Sequence, residues 1–320
     1  MPDKSKGSFG SWFGWELSVL IHARLLRHSM PAQMPRVRQN FGKYRIERRI
    51  AEGGFAVVYQ AYDKIEGIHV ALKIPFNHLL NQDVLDFFRK EVRLASSLRH
   101  PHILQLKNAE FIDDHFVLAY PLAQESLADR LQRRLAMTTA IDFAQQILEA
   151  LACAHRSKVI HCDIKPENLL LFSNNQLVLS DFGIARVALR TIRGSGSGTV
   201  GYIAPEQAMG RPSFRSDVFS CGLIMFRMFS GVLPEWPFKW PPTGIQQLRK
   251  RVPVEMVELI RRSIEPNPQR RFRDCMQMLR AFEALTPRFR RFLQQRSLAR
   301  KSAVVVKVAA AGSRRRRMSA

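Results

Sequence analysis

The sequence predicts an α+β chain in which a small antiparallel sheet comes first and a larger helical part follows. Residues 44–50 alternate apolar and charged side chains, the period of a half-buried strand. Further β-rich runs occupy 56–59, 69–74 and 116–120. Beyond them the period changes, and apolar residues recur at three- and four-residue spacing over 125–135 and 138–156, as on helices. The 320 residues suffice for one large domain or two modest ones.

Hydrophobic residues at 46% and charged residues at 24% are ordinary for a globular protein; a formal charge of +23 is not. The excess sits at the ends. Residues 1–40 hold six Lys or Arg against two acids, residues 286–320 hold eleven and no acid, and +8 remains for the segment between. Cys153, Cys162, Cys221 and Cys275 form no Cys-x-x-Cys pair, which argues against a zinc site or disulfide framework and fits a reducing compartment. No uninterrupted apolar run approaches the roughly 18 residues of a membrane span. The run 303–311 is short and contains Lys307. Residues 1–40 lack sustained periodicity and fit a signal peptide poorly, although 17–27 suits one basic amphipathic helix. Met30 and Met34 are alternative starts.

In chain order, the strand at 44–50 runs into Ile50-Ala51-Glu52-Gly53-Gly54-Phe55-Ala56-Val57-Val58-Tyr59. Two adjacent glycines let a backbone turn and approach phosphate oxygens closely, but Gly-Gly between strands is first of all a hairpin. The next strand, His69-Val70-Ala71-Leu72-Lys73-Ile74, carries one lysine among apolar neighbours. Its stem can lie along the sheet with the amine in water, or the amine can have a partner. Glu91, midway along a helical pattern over 84–98, is the candidate. Strands at 111–112 and 116–120 flank the turn Asp113-Asp114-His115. Thr138 or Thr139 would cap the second helix, and 176–180 would form a short strand delivering Asp181.

The chemistry concentrates in His161-Cys162-Asp163-Ile164-Lys165-Pro166-Glu167-Asn168, followed thirteen positions after Asn168 by Asp181-Phe182-Gly183. Two acids, a lysine and an amide in two short loops can hold magnesium and a triphosphate. Phosphoryl transfer asks a protein mainly for positioning and charge neutralisation. Asp163 can accept a proton from an attacking hydroxyl and Lys165 can neutralise the moving phosphoryl group. Asn168 and Asp181 offer hard oxygen ligands that suit Mg²⁺. A polar turn between buried segments would account for any one of these residues, but not for all of them in this order.

Together these residues resemble the eukaryotic-type serine/threonine protein kinases, bacterial members in particular, whose catalytic loop reads His-Arg-Asp-x-Lys-x-x-Asn ahead of Asp-Phe-Gly. That family is the standard illustration of this chemistry, so the roles that follow are implied by the resemblance. The fold would be the two-lobed protein-kinase-like one: a small antiparallel-sheet lobe with one helix (41–120) and a helical lobe (121–285). A poorly ordered extension (1–40) and a solvated basic tail (286–320) would flank them. ATP and Mg²⁺ would lie in the cleft. Ile50, Gly53, Gly54, Val58, Ala71, Lys73, Glu91 and Tyr120 would bind nucleotide, with Lys73 paired to Glu91. Asp163 and Lys165 would be catalytic, and Asn168 and Asp181 would hold the metal. Residues 119–122 would meet adenine, Leu118 would guard the pocket behind it, and Glu125 would reach toward the ribose. Gly198-Thr199-Val200-Gly201-Tyr202-Ile203-Ala204-Pro205-Glu206 ends a glycine- and serine-rich stretch and, with Lys165, marks serine/threonine kinases. Asp217 would brace the catalytic loop and Arg271 would pair Glu206.

The sequence departs from the pattern in four places. Ala51 and Ala56 replace two loop glycines, Cys162 replaces the arginine before the catalytic aspartate, Ala119 a common glutamate, and Asn267 an aspartate. The expected activity is ATP- and Mg-dependent phosphorylation of protein serines or threonines in the cytoplasm. The alternatives are a pseudokinase scaffold, motivated by the loop alanines, and a protein that binds nucleic acid or anionic lipid through its basic ends. No nucleic-acid-binding motif accompanies the latter, and arginines alone confer no sequence specificity.

Overall fold

The computed structural model describes residues 33–54, 56–76, 89, 92–93, 97–182, 200–235, 237 and 239–317, with side chains as far as residue 299. The chain divides into two compact units, one formed by Met1–Leu85 with Leu106–Leu122 and the other by Asp86–Gln105 with Ala123–Ala320.

The smaller unit is a six-stranded sheet built from β1 (Asn40–Phe41), β2 (Tyr44–Glu52), β3 (Ala56–Asp63), β4 (Ile68–Pro75), β5 (Asn108–Ile112) and β6 (His115–Pro121). Their order is β1-β2-β3-β4-β6-β5, and every neighbouring pair is antiparallel. Alternation along the strands sorts the side chains onto two faces. Val57, Tyr59 and Ala61 stand opposite Ile74, Leu72 and Val70, and with Ile46, Val117 and Ala119 they form this unit's core. The turn after β3 is held by Asp63, whose carboxylate accepts from the amides of Ile65 and Glu66 and pairs with Lys43 at 2.8 Å. Of the residues 84–98 expected to be helical, Arg89, Val92, Arg93 and Ser97 are described as helical and Leu98 as buried but outside the helix; Glu91 lies outside the described residues.

The larger unit carries a small three-stranded sheet, β7 (Glu125–Ser126), β8 (Leu169–Leu171) and β9 (Leu177–Leu179), in the order β7-β8-β9. The rest is mainly helical: α1 (Leu127–Arg130), α2 (Met137–Arg156), α3 (Pro205–Ala208), α4 (Phe214–Ser230), α5 (Ile245–Arg251), α6 (Val254–Ser263) and α7 (Cys275–Arg317). Two expectations shift. The first helix covers only Leu127–Arg130, started by a capping box between Ser126 and Asp129, and Glu125 lies in β7, where it pairs with Arg133. The second starts at Met137 behind Ala136, so Thr138 and Thr139 sit inside its first turn and cap nothing.

α4 is the axis of the larger unit. Ser213 and Ser216 form its capping box, and Gly231, at φ 84°, ends it in the left-handed conformation that glycine adopts without cost. From Ser216 to Phe226 every residue is buried. Gly222 permits the closest approach to α6: a Cβ there would lie 2.7 Å from Ser263 Cβ and 2.8 Å from Ile264 Cγ2.

α7 corrects the boundary expected at 285. The helix runs on through Pro287, and Phe289, like Phe282 before it, is fully buried. Phe289 stands edge-on to Phe229 at 5.6 Å, while Phe292 and Leu293 also pack on the core. Arg290 pairs with Asp142 at 3.0 Å and Arg288 with Glu255 at 2.7 Å. The basic composition beyond 285 reads as a solvated tail, yet Phe282, Phe289 and Phe292 continue one apolar face into it. A chain cut after Leu285 is therefore expected to melt on the order of 10 °C lower, through loss of the Phe289 anchor, whereas a cut after Ala299 should leave the melting temperature nearly unchanged. Thermal denaturation of the two truncations checks this.

Candidate active site

The catalytic-loop segment is fixed from below by α4. Asp217, buried at 1% exposure, accepts from the backbone amides of His161 (2.8 Å) and Cys162 (2.9 Å). A third contact comes from His155 Nε2 at 2.9 Å. Since His155 Nδ1 accepts from the Cys275 amide at 3.0 Å, the ring proton that reaches Asp217 is on Nε2. On the other side, Gln207 Nε2 donates to the Cys162 carbonyl at 2.5 Å. Cys162 itself has φ 66°, a left-handed backbone that L-residues with a side chain rarely adopt.

Asp163 follows this held residue. Its Oδ2 receives Lys165 Nζ at 2.9 Å and Asn168 Nδ2 at 2.8 Å, and the same Asn168 amide bonds the Asp163 carbonyl at 2.7 Å. Among the described residues both side-chain contacts fall on Oδ2, and Oδ1 is the oxygen that can accept a proton. A half-exposed ion pair such as Lys165–Asp163 adds little to stability. Its arrangement suits charge placement instead. Asn168 spends its amide nitrogen on Asp163 and keeps its amide oxygen as a hard ligand. Ser180 ties in the second loop: its amide and hydroxyl both donate to the Asn168 carbonyl, at 2.9 and 3.0 Å, and its own carbonyl faces His161 Nε2 at 2.8 Å. Asp181 comes next, at φ 60°, and Phe182 packs edge-on to His161 at 4.7 Å. Asp163, Lys165, Asn168 and Asp181 are thus assembled within the larger unit. Gly183 and residues 184–199, including the glycine- and serine-rich stretch and Thr199, lie outside the described residues.

In the smaller unit the residues expected to bind nucleotide share a sheet face. Val58 stands opposite Lys73, Lys73 opposite Leu118, and Ala71 opposite Tyr120, so all five project from the face opposite the core cluster. Lys73 is 9% exposed. Ile50 occupies a register slip between Arg49 and Ala51 and is exposed. A Cβ on Gly54 would meet nothing within 4 Å, and one on Gly53 only the Ala56 carbonyl at 3.9 Å. Neither glycine has the positive φ that would demand glycine, and among the described residues nothing crowds either position.

The remaining framework is an ion pair. Arg271 is 2% exposed and grips Glu206 through both nitrogens, at 2.7 and 3.0 Å, while Ser216 Oγ donates to the same carboxylate at 2.7 Å. Burial pulls the Arg271 pKa below its ordinary value and Glu206 works against that, so the guanidinium stays charged at any physiological pH. Sequence reading anticipated Asp217, Glu206 and Arg271 by resemblance; it missed Gln207, Ser180, Ser216 and His155. No local signal marks their contacts to Cys162, Asn168, Glu206 and Cys275, which lie 10 to 120 residues away.

Comparison with known proteins agrees with the fold. The protein kinase domain family matches residues 44–290. The chain belongs to the protein kinase family. Among curated relatives, the probable serine/threonine-protein kinase CA_C1728 of Clostridium acetobutylicum is 29% identical over 74% of this chain and 39% of its own length. The serine/threonine-protein kinase PknA of Corynebacterium glutamicum is 31% identical over 76% and 56%, and CBL-interacting serine/threonine-protein kinase 19 of Arabidopsis thaliana is 32% identical over 72% and 51%. The chain thus spans about half, or less, of the length of these relatives. The PknI kinase domain of Mycobacterium tuberculosis has the same fold, with a TM-score of 0.62, 21% identity, and coverage of 79% of this chain and all of that one. Among the described residues, no helix is long and apolar enough to cross a membrane.

Proposed function

We propose that this chain transfers the γ-phosphoryl group of ATP to serine or threonine hydroxyls of protein substrates. The observation that carries the reading is Asp163: among the described residues, Lys165 and Asn168 both engage Oδ2 and not Oδ1, on a backbone held by Asp217. In this reading Oδ1 of Asp163 takes the proton of the substrate hydroxyl, and Lys165 sets positive charge beside the phosphoryl group being transferred. Asn168 and Asp181 supply the hard oxygen set for Mg²⁺, which when bound neutralises triphosphate charge. Lys73, with Glu91 as its partner, is assigned to the α- and β-phosphates. Ile50, Gly53, Gly54, Val58, Ala71 and Tyr120 are assigned to the nucleotide, the lack of crowding at Gly53 and Gly54 among the described residues being supportive. Four widely spaced cysteines without a Cys-x-x-Cys pair accord with action in the cytoplasm. The test is transfer of label from γ-labelled ATP to a basic protein substrate, with Asp163→Asn as control. ATP binding without transfer would favour a scaffold role.

Control follows from Cys162. A phosphate on the activation stretch needs a cationic fork, and a buried thiol provides none. Phosphatase treatment, and separately the Thr191/Ser195/Ser197 triple alanine variant, should leave transfer within about twofold of the untreated protein, far short of the loss expected if an ordering phosphate were required. A large loss in both would mean that another basic residue replaces the family's arginine.

For the basic residues beyond 285 we propose only weak contact with polyanions, since Arg288 and Arg290 are already engaged with Glu255 and Asp142. Retention of the full chain on anionic vesicles or DNA should fall steeply with salt and disappear on truncation after Ala299. Equal retention of the truncated chain would refute a role for the tail.

A further inference from the structure

We infer that Gln207 is a positioning residue for phosphoryl transfer, acting through the Cys162 peptide; this rests on the kinase reading of Asp163. Cys162 carries a backbone conformation disfavoured for any residue with a Cβ, immediately before the proposed base. Such a conformation persists only where its surroundings over-determine it. Here they do so from both ends of the residue: Asp217 on α4 accepts from its amide at 2.9 Å, and Gln207 on α3 donates to its carbonyl at 2.5 Å. A carbonyl only accepts, so the Gln207 atom facing it must be the amide nitrogen. Gln207 is 4% exposed, and its backbone carbonyl accepts from the Gly210 amide at 2.9 Å, which fixes the short helix that presents the side chain. Gln207 directly follows Glu206, the residue gripped by Arg271 and Ser216. The catalytic loop is thereby fastened to the Arg271–Glu206 pair through one side-chain amide. Asp217 holds the amide side of Cys162, and the Asp163 amide and carbonyl beyond it are held by His161 Nδ1 and Asn168. The Gln207 bond is the contact made to the Cys162 carbonyl itself, the peptide that leads into Asp163.

The test compares wild type with Gln207→Met, which keeps the side-chain volume but loses the donor, and Gln207→Asn, which keeps the amide but withdraws it by one methylene. At a temperature well below each variant's melting point, kcat per folded molecule should fall roughly 10- to 100-fold, the scale of a small misplacement of a reacting group, while KM for ATP stays the same. Amide hydrogen exchange at Cys162 and Asp163 should speed up at least tenfold in both variants. Unchanged kcat together with unchanged exchange would overturn the proposal, as would a loss of activity that only tracks the fraction unfolded. If the Met variant does not fold, the Asn variant gives the same readouts. A wild-type chain without transfer activity would reject the kinase reading instead, and the exchange rates would then decide the role of Gln207 by themselves.

Discussion

Asp163→Asn is expected to lower kcat for phosphoryl transfer by about 10²–10⁴, the range measured for removing a general base. The amide cannot take up the substrate proton, but its oxygen still accepts from Lys165 and Asn168, which now meet Asp163 Oδ2 at 2.9 and 2.8 Å. The backbone frame is untouched, because the Cys162 amide and carbonyl are held by Asp217 and Gln207 and not by Asp163. Melting temperature and KM for ATP should therefore stay close to wild type. Steady-state transfer assays beside thermal denaturation separate the two effects. Wild-type kcat in a folded variant would remove Asp163 from its proposed role.

Arg271→Met is expected to destabilise the larger unit by about 3–5 kcal/mol, the cost of leaving a buried charge without its partner. The guanidinium makes five hydrogen bonds: two to Glu206 and one each to the carbonyls of Arg215, Glu265 and Pro266. It also lies 4.5 Å from the centroid of the Phe219 ring. Methionine fills much of the volume but satisfies none of the acceptors, and Glu206 keeps only Ser216. Denaturant unfolding should show the midpoint fall sharply. A change under about 1 kcal/mol would mean that water replaces the guanidinium, as at an exposed pair.

The sequence was most legible where function and local pattern coincide. The alternation at 44–50 and the β-rich run at 69–74 specified strands, and the pairing of those strands then decided which face carries Lys73. Asp163, Lys165 and Asn168 sit within six residues of one another, so spacing alone brings them together. Helix ends were less legible. Thr138 and Thr139 look like caps, yet burial of Ala140, Ile141 and Phe143 draws the helix start back to Met137. The basic composition beyond 285 reads as a solvated tail, yet Phe289 packs on Phe229 and the helix continues.

By itself the sequence determined the α+β division, the strands and the reactive cluster between His161 and Asn168, all set by short-range periodicity or spacing. Tertiary structure alone decided how that cluster is held. Gln207 reaches Cys162 across 45 residues, and Asp217 reaches it across 55. His155 is joined to Cys275 across 120. A polar side chain carries no local mark of a distant partner. Its burial is tolerated only once the fold has brought the matching donor or acceptor to it, since an unpaired polar group costs more than the bond returns.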